Sequence, residues 1–509
     1  MQALWFCFAF QRLCGNWSGI GRIDEMLGEF LTRDLTEGRL TLDDAREILA
    51  HFWILGCEWV GAKTSFGGSG DAQFYQNIVL SGVDADGNDV TNEVTYLILD
   101  IVEELHISDF PIAVRLNRHS PEPLLRRIAE VQRHGSGIVA VYNDETVLPA
   151  LVNFGYPLRE ARRYANDGCW EVQIPGETCF TYRPFDTLAL LQQVLGVTTE
   201  GEPPVFTDFE ELYAAFRAHL AEQIRQIHRE ADGFFQGGPP TTLVSLLEKD
   251  CIEKAHGYYD RGARYTVYAP HAGGLPDTGN SLLAIKRLIY DERRLTLPKL
   301  VACLRANWQG HEELRRQILH DLTAYGNDAP AADAMVRRVF DDFLALVGEV
   351  PDRNGVLRPA GVSTFGREIE WRPQRRATAD GHLDGAILAT NFSPSPGTDR
   401  EGPTAVLKSH CAMGLERLPN GTALELKMLP DHVAGETGLQ ALIALLRTFI
   451  NLGGFFMHIE VVSNDVLRDA RNHPEQYPHL AVRISGWSAR FITLDADWQE
   501  MIINRTQQG

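Results

Sequence analysis

The feature that most limits what this chain can fold into is a single strand–helix–strand unit. Ile112 to Asn117 is an apolar run with strand character, and Ser120 and Pro121 then open a helical pattern that reaches His134. Gly135 stops it, and Gly137 to Tyr142 is a second apolar strand. A serine before the helix, a proline in its first turn and a glycine after its last each suit the unpaired backbone groups at helix ends. With joints this short the two strands must run parallel, linked by a right-handed crossover. An α/β fold is the consequence.

Further helices are expected at Thr41 to Ile54, where Thr41 and Asp44 form a capping-box pattern, and at Leu297 to Trp308. Leu439 to Leu452 is another, halted by Gly453 and Gly454 before a strand from Phe455 to Val462. The N-terminal ALWFCFAF has no positive region before it and no small-residue cleavage site after it, so it reads as a core helix rather than a signal peptide. The most irregular stretch, Arg353 to Asp399, is rich in Gly, Pro and Arg and marks a joint before the C-terminal segment.

With 509 residues, 44% hydrophobic and 23% charged, the chain can bury a sizeable core spread over about two to four domains. A net charge of −20 argues against nucleic acid or an anionic membrane as partner. No apolar run approaches the roughly 20 residues of a membrane helix. The eight cysteines show neither CxxC nor Cys/His ligand spacing, so no metal, cluster or disulfide framework is expected, and a reducing cytoplasm is the natural setting. GGSG at Gly67 to Gly70 lacks the Lys-Ser/Thr of a phosphate-binding loop and reads as an ordinary loop.

Two short segments stand apart. RISGWSARF spans Arg483 to Phe491 and runs into LDADWQEMIINRT, while NDGCWE spans Asn166 to Glu171. Taken singly, Gly486 could be a turn glycine, Cys169 a buried thiol and Glu171 a solvated carboxylate. Together, in this order, they resemble the glycine-radical and thiyl-cysteine loops of the glycyl radical enzymes, the pyruvate formate-lyase-like superfamily. Arg483, Ser485, Ser488, Ala489, Gln499, Ile502 and Ile503 match the signature around the glycine. The likeness extends through NIVLSGVDADGNDVTNEVTYLIL (Asn77 to Leu99), VRLNRHSPEPLL (Val114 to Leu125), VYNDETVLPAL (Val141 to Leu151), SPSPGTDREGPTAVLKS (Ser393 to Ser409) and LRTFINLGG (Leu446 to Gly454).

The resemblance implies the C-terminal portion of a ten-stranded β/α barrel, with the Gly loop and the Cys loop meeting at its centre. It implies a barrel domain over 1–378, N-terminally incomplete and carrying the Cys loop, and a glycine radical domain over 379–509. It further implies a radical on Gly486 installed by a radical S-adenosylmethionine iron–sulfur activase, no cofactor or metal bound by the chain itself, anaerobic function and a homodimer. Only glycine accepts the planar backbone such a radical needs. Cys169 would carry the working thiyl radical, and Glu171, two residues on in an extended loop, would share its face and act as general base on a substrate hydroxyl.

Gly168 stands where pyruvate formate-lyase has the first of two adjacent cysteines, so pyruvate cleavage is not expected, although a formate acetyltransferase label would follow from overall likeness. Glycine-cysteine-x-glutamate resembles the eliminase and arylacetate decarboxylase branches. The expected reaction is therefore elimination from a small hydroxylated substrate, with radical decarboxylation of an arylacetate as the alternative. Trp170, Phe180, Tyr182 and Arg183 are candidate substrate contacts: the aromatics could narrow a pocket or simply pack, and Arg183 could hold a carboxylate or lie on the surface. His382 replaces an arginine common in the family. GRIDEMLGEF (Gly21 to Phe30) falls mid-barrel in relatives, leaving the first half-barrel outside this chain, by gene-model truncation, as a separate subunit or by loss. A noncatalytic, partner-dependent fragment is the reading from another class. Retention of Cys169 and Glu171 favours the enzyme.

Overall fold

Strands β1 (Gly21–Arg22), β2 (Ile78–Ser81), β3 (Ile112–Leu116) and β4 (Val139–Asn143) lie side by side in parallel, with Ile112 opposite both Ile78 and Val139. A second parallel run consists of β5 (Leu424–Met428), β6 (Phe456–Val461) and β7 (Gln507–Gln508), with β5 in the middle. The two runs join at one antiparallel seam, where Tyr142 of β4 faces Phe456 of β6. The order β1-β2-β3-β4-β6-β5-β7 makes one seven-stranded sheet, open among the described residues. The computed structural model describes residues 1–13, 19–57, 77–107, 110–236, 242–350 and 354–508. GGSG at Gly67 to Gly70 lies outside them.

This sheet belongs to the first of two compact units, Met1–Thr178 with Leu415–Gly509. Strands β2 to β6 are buried along their whole length, as expected for parallel strands covered on both faces. The helix Glu122–Arg133 supplies one cover, burying Leu124, Leu125, Ile128, Ala129 and Val131. It packs against the helices Glu93–Leu105 and Gly435–Leu452. Each presents an apolar stripe of the kind that drives such packing.

Local expectations hold with two corrections, the Ser120 cap and the N-terminal helix, which leaves Phe6 and Cys7 exposed and so is not a core helix. Ser120 does not cap the helix after β3: the helix starts at Glu122, with Pro121 at its N-cap and no side-chain cap bond. The Ser120 hydroxyl instead accepts the N–H of Asn117 at 2.9 Å, closing the turn that leaves β3. Thr41 and Asp44 do form the reciprocal box, with the Asp44 carboxylate accepting the Thr41 N–H at 2.8 Å and Thr41 Oγ1 accepting the Asp44 N–H at 3.1 Å. The Thr41 hydroxyl, which donates to the same carboxylate at 2.7 Å, and then the Thr41 N–H hold the Asp44 carboxyl below its ordinary range. The N-terminal run forms the helix Gln2–Leu13, in which Phe8 is buried with its ring centre 4.8 Å from that of Phe110 and Phe6 is exposed.

The second unit, Cys179–Gly414, is built around the strand Tyr265–Gly273. That strand pairs with Thr178–Asp186 and runs parallel to both Val356–Leu357 and Gly361–Val362. The helix Leu275–Ile285 is buried at every residue and packs against Pro330–Gly348. From 375 to 402 the chain forms no helix or strand, matching the irregular stretch seen in the sequence. Among the described residues, no helix is long and apolar enough to cross a membrane.

Candidate active site

Two short hairpins in the first unit carry the two signature segments. Ala165–Asn166 pairs antiparallel with Val172–Gln173, leaving Cys169 in the connecting loop. Ala481–Arg483 pairs antiparallel with Ser488–Arg490, and the Ile484 N–H donates to the Trp487 carbonyl at 2.7 Å, so Gly486 sits in a tight tip. Gly486 has φ +101°, in the region that favours glycine. The two tips touch. A Cβ built on Gly486 would lie 2.3 Å from Cys169 Cβ and 3.0 Å from its Sγ. Nothing larger than glycine fits there, and Cys169, Trp170, Glu171 and Ser485 are all buried around it.

The carboxylate of Glu171 folds back on its own hairpin. Oε2 accepts the N–H of Cys169 at 3.1 Å and of Trp170 at 3.0 Å. An extended loop would place Glu171 beside Cys169 by alternation; the hairpin brings the two together through the backbone instead. Asn166 Nδ2 holds the Cys169 carbonyl at 3.0 Å. Tyr142, on β4, is buried, and its hydroxyl makes no hydrogen bond with the described residues. Burial, then the charges of Glu171 and Cys169, push its phenol well above the usual range.

Arg483 organises the glycine side. Its guanidinium is fully buried, donating to the Gly486 carbonyl at 3.0 Å, to Ile138 at 3.0 Å and to Gly137 at 3.2 Å. Burial lowers it to about 10. Its backbone N–H donates to Glu460 Oε2 at 2.8 Å, and Glu460 is itself pushed up to about 7 by burial. Arg505 adds a second clamp, donating to the carbonyls of Arg483, at 2.8 Å, and Ile484. Gly137 makes room for this arrangement: with φ +55°, a Cβ there would lie 2.6 Å from Glu460 Oε2 and 2.8 Å from Arg483 Cβ.

A buried ion pair supports the cysteine side. Arg115, on β3, donates to both Asp144 oxygens at 3.0 and 2.8 Å, and Tyr164 gives Asp144 a third bond at 2.6 Å. The same guanidinium reaches the carbonyls of Arg162 and Tyr164 at 2.8 and 3.2 Å, tying down the segment that enters the cysteine hairpin.

The remaining candidates separate. Trp170 is buried in the first unit, its ring centre 6.2 Å from that of Phe456. Phe180, Tyr182 and Arg183 lie in the second unit on the strand Thr178–Asp186. Phe180 packs with Val267 and Ala269. Tyr182 lies among rings, 4.6 Å from Phe365 and 5.4 Å from His271. Arg183 is half-exposed and ion-paired with Glu230 at 3.2 Å. His382 and Asp380 border a cavity of about 220 Å³ in the second unit, with 3.6 Å between imidazole and carboxylate. Tyr142, Asn77 and Arg505 lie within segments quoted above for the family likeness, but nothing in that reading singled them out. Among the described residues, no group of three or more His, Cys, Asp or Glu could hold a metal ion.

Comparison with known proteins gives the family. The family described as pyruvate formate lyase-like matches residues 1–369, and the glycine radical domain matches residues 388–492. The chain is 29% identical to the trans-4-hydroxy-L-proline dehydratase of Clostridioides difficile, over 96% of this chain and 64% of that protein. It is 30% identical to the isethionate sulfite-lyase of Desulfovibrio desulfuricans, over 99% of this chain and 64% of that one. A Roseburia inulinivorans structure determined for 1,2-propanediol dehydration superimposes with a TM-score of 0.90 at 29% identity, covering 97% of this chain and 65% of that chain. The chain thus spans about 64% of the length of the curated relatives it matches. Its α/β fold is that of glycyl radical enzyme structures. With well over half its length matched, the chain belongs to the pyruvate formate lyase-like family of glycyl radical enzymes.

Proposed function

We propose that this chain is the radical-bearing portion of a glycyl radical lyase that eliminates a leaving group from a small hydroxylated substrate. The observation that carries the reading is the contact of the two hairpin tips, with Gly486 and Cys169 too close for any other residue to replace the glycine. An activase removes one hydrogen atom from the Gly486 α-carbon. The Cys169 S–H then returns a hydrogen atom to that carbon, and the thiyl radical left on Sγ takes a hydrogen atom from a substrate carbon. Glu171, held beside Cys169, accepts the proton of the adjacent hydroxyl, which lets the neighbouring substituent leave. The relatives are named for hydroxyproline dehydration and isethionate cleavage, both eliminations from hydroxylated carbon skeletons. Trp170, buried in the same unit as the two tips, is a candidate for the pocket wall.

Under this reading the seven-stranded sheet, with its two parallel runs and one antiparallel seam, is part of a ten-stranded barrel. Residues 1–378, the barrel domain, supply β1 to β4 of that sheet, and 379–509, the glycine radical domain, supplies β5 to β7. The partners are a radical S-adenosylmethionine activase, a second copy of the chain and the remaining length that the relatives possess. The test is electron paramagnetic resonance of the anaerobic protein after treatment with the activase of one of these dehydratases, alone and with upstream sequence added. A doublet absent in Gly486→Ala supports the radical site and opens a substrate screen with trans-4-hydroxy-L-proline, 1,2-propanediol and isethionate. Silence from both forms overturns it.

A further inference from the structure

Asn77 is the buried residue that leads into β2, and its own carbonyl accepts the Ile20 N–H at 2.9 Å. Its side-chain Nδ2 donates to the carbonyl of Cys169 and to the carbonyl of Gly486, each at 3.1 Å. A primary amide has two N–H bonds, so both are spent on the two hairpin tips. Each carbonyl has another donor from its own loop, Asn166 for Cys169 and Arg483 for Gly486. Asn77 is the donor they share. Its Oδ1 is buried and makes no hydrogen bond with the described residues, so the side chain is anchored here by its donors.

Resting on the radical roles proposed above, we infer that Asn77 is a positioning residue for hydrogen-atom transfer between Cys169 and Gly486. In that step the Cys169 S–H bond breaks and a Gly486 Cα–H bond forms. The hydrogen moves as an atom, so the unpaired electron passes to Sγ and no other reactant is needed. Reaching both carbonyls from one side chain sets the spacing of the two tips, and a misplacement of about 1 Å can cost on the order of 10²-fold in rate. The same bond acts on the radical itself. An unpaired electron on Gly486 Cα spreads onto the adjacent carbonyl oxygen, and N–H donors from Asn77 and Arg483 at that oxygen favour the spread form.

Two measurements test this. Hydrogen exchange of the unactivated protein, followed by mass spectrometry, needs neither activase nor substrate. In Asn77→Ala the segments 166–172 and 483–488 should both exchange about tenfold faster, whereas Asn166→Ala should loosen only the first. An effect of Asn77→Ala confined to one segment, or none, overturns the clasp. Asn77→Asp keeps the shape without the donor pair and serves if the alanine protein fails to fold.

The second measurement places activated protein in D2O. The Gly486 doublet, split by the remaining α-hydrogen, should narrow toward a singlet as Cys169 S–D delivers deuterium. The Asn77 variants should exchange at least about tenfold more slowly per radical, whatever amount of radical they form. An unchanged rate overturns the positioning role. Exchange that persists in Cys169→Ser points to failure of the underlying transfer reading, not of Asn77.

Discussion

Glu171 accepts the Cys169 N–H at 3.1 Å, so the carboxylate assigned to proton transfer also closes the hairpin that presents the thiol. The two duties separate on substitution. Glu171→Gln keeps an acceptor oxygen for the hairpin but cannot take a proton. It should fold normally and lose about 10²–10⁴-fold in turnover per radical. Glu171→Ala loses both duties and should in addition unfold more easily by about 1–2 kcal/mol, as buried N–H groups lose their acceptor. Turnover normalised to spin count, alongside thermal unfolding, distinguishes the two variants.

Cys169→Ser should accumulate the Gly486 radical and yield no product, because a hydroxyl O–H is far stronger than a thiol S–H. Spin quantification with product analysis decides this, and turnover by the serine protein would refute the assignment.

Gly486→Ala should be silent in electron paramagnetic resonance and should also cost stability. The added Cβ would stand 2.3 Å from Cys169 Cβ, on a backbone of φ +101°. The conformational part alone is worth about 1–3 kcal/mol. Denaturant unfolding, which needs no activase, measures it.

Glu460 makes stability depend on pH. Its folded-state carboxyl titrates at about 7, raised from an ordinary 4.5 chiefly by burial and opposed by Arg483, Arg505 and Lys427. A raised acid means that the folded state holds its proton more tightly than the unfolded chain. Its contribution is therefore complete below about pH 4.5 and is lost as pH rises toward 7, by an amount on the order of 3 kcal/mol at most. Glu460→Gln should flatten this slope between pH 5 and 7.5 in thermal unfolding. An identical slope in the variant would assign the dependence elsewhere.

Arg115 and Asp144 form a pair buried on both sides. Removing one partner strands the other charge, so Asp144→Ala should destabilise by about 3–5 kcal/mol and loosen the entry to the cysteine hairpin. Replacing both together, as Arg115→Met with Asp144→Leu, should restore much of the loss. Denaturant midpoints of the single and double variants test the coupling.

The strand–helix–strand unit was readable because its signals are local, in apolar runs bounded by proline and glycine. Ser120 misled because its hydroxyl is taken by Asn117 one turn earlier, a choice its identity does not reveal. The two hairpin segments were readable only together, through their likeness to known family loops; singly, Gly486 also fits a turn glycine and Cys169 a buried thiol. The seam between Tyr142 and Phe456 was not, since pairing across such a span writes nothing into either strand. Asn77 escaped notice for a related reason. Its partners are carbonyls, so no complementary side chain marks them, and an asparagine before a strand is ordinary turn chemistry.

That seam also fixes when the two hairpin tips can meet during synthesis. Strand β4 and the cysteine hairpin are made first, then the whole of Cys179–Gly414 must follow before β5 and β6 can dock beside them. The glycine hairpin and its Arg505 clamp come later still. Contacts between residues so distant in sequence form slowly. A nascent chain therefore carries the cysteine tip without its counterpart until the glycine hairpin has been made, and only then can the two come together.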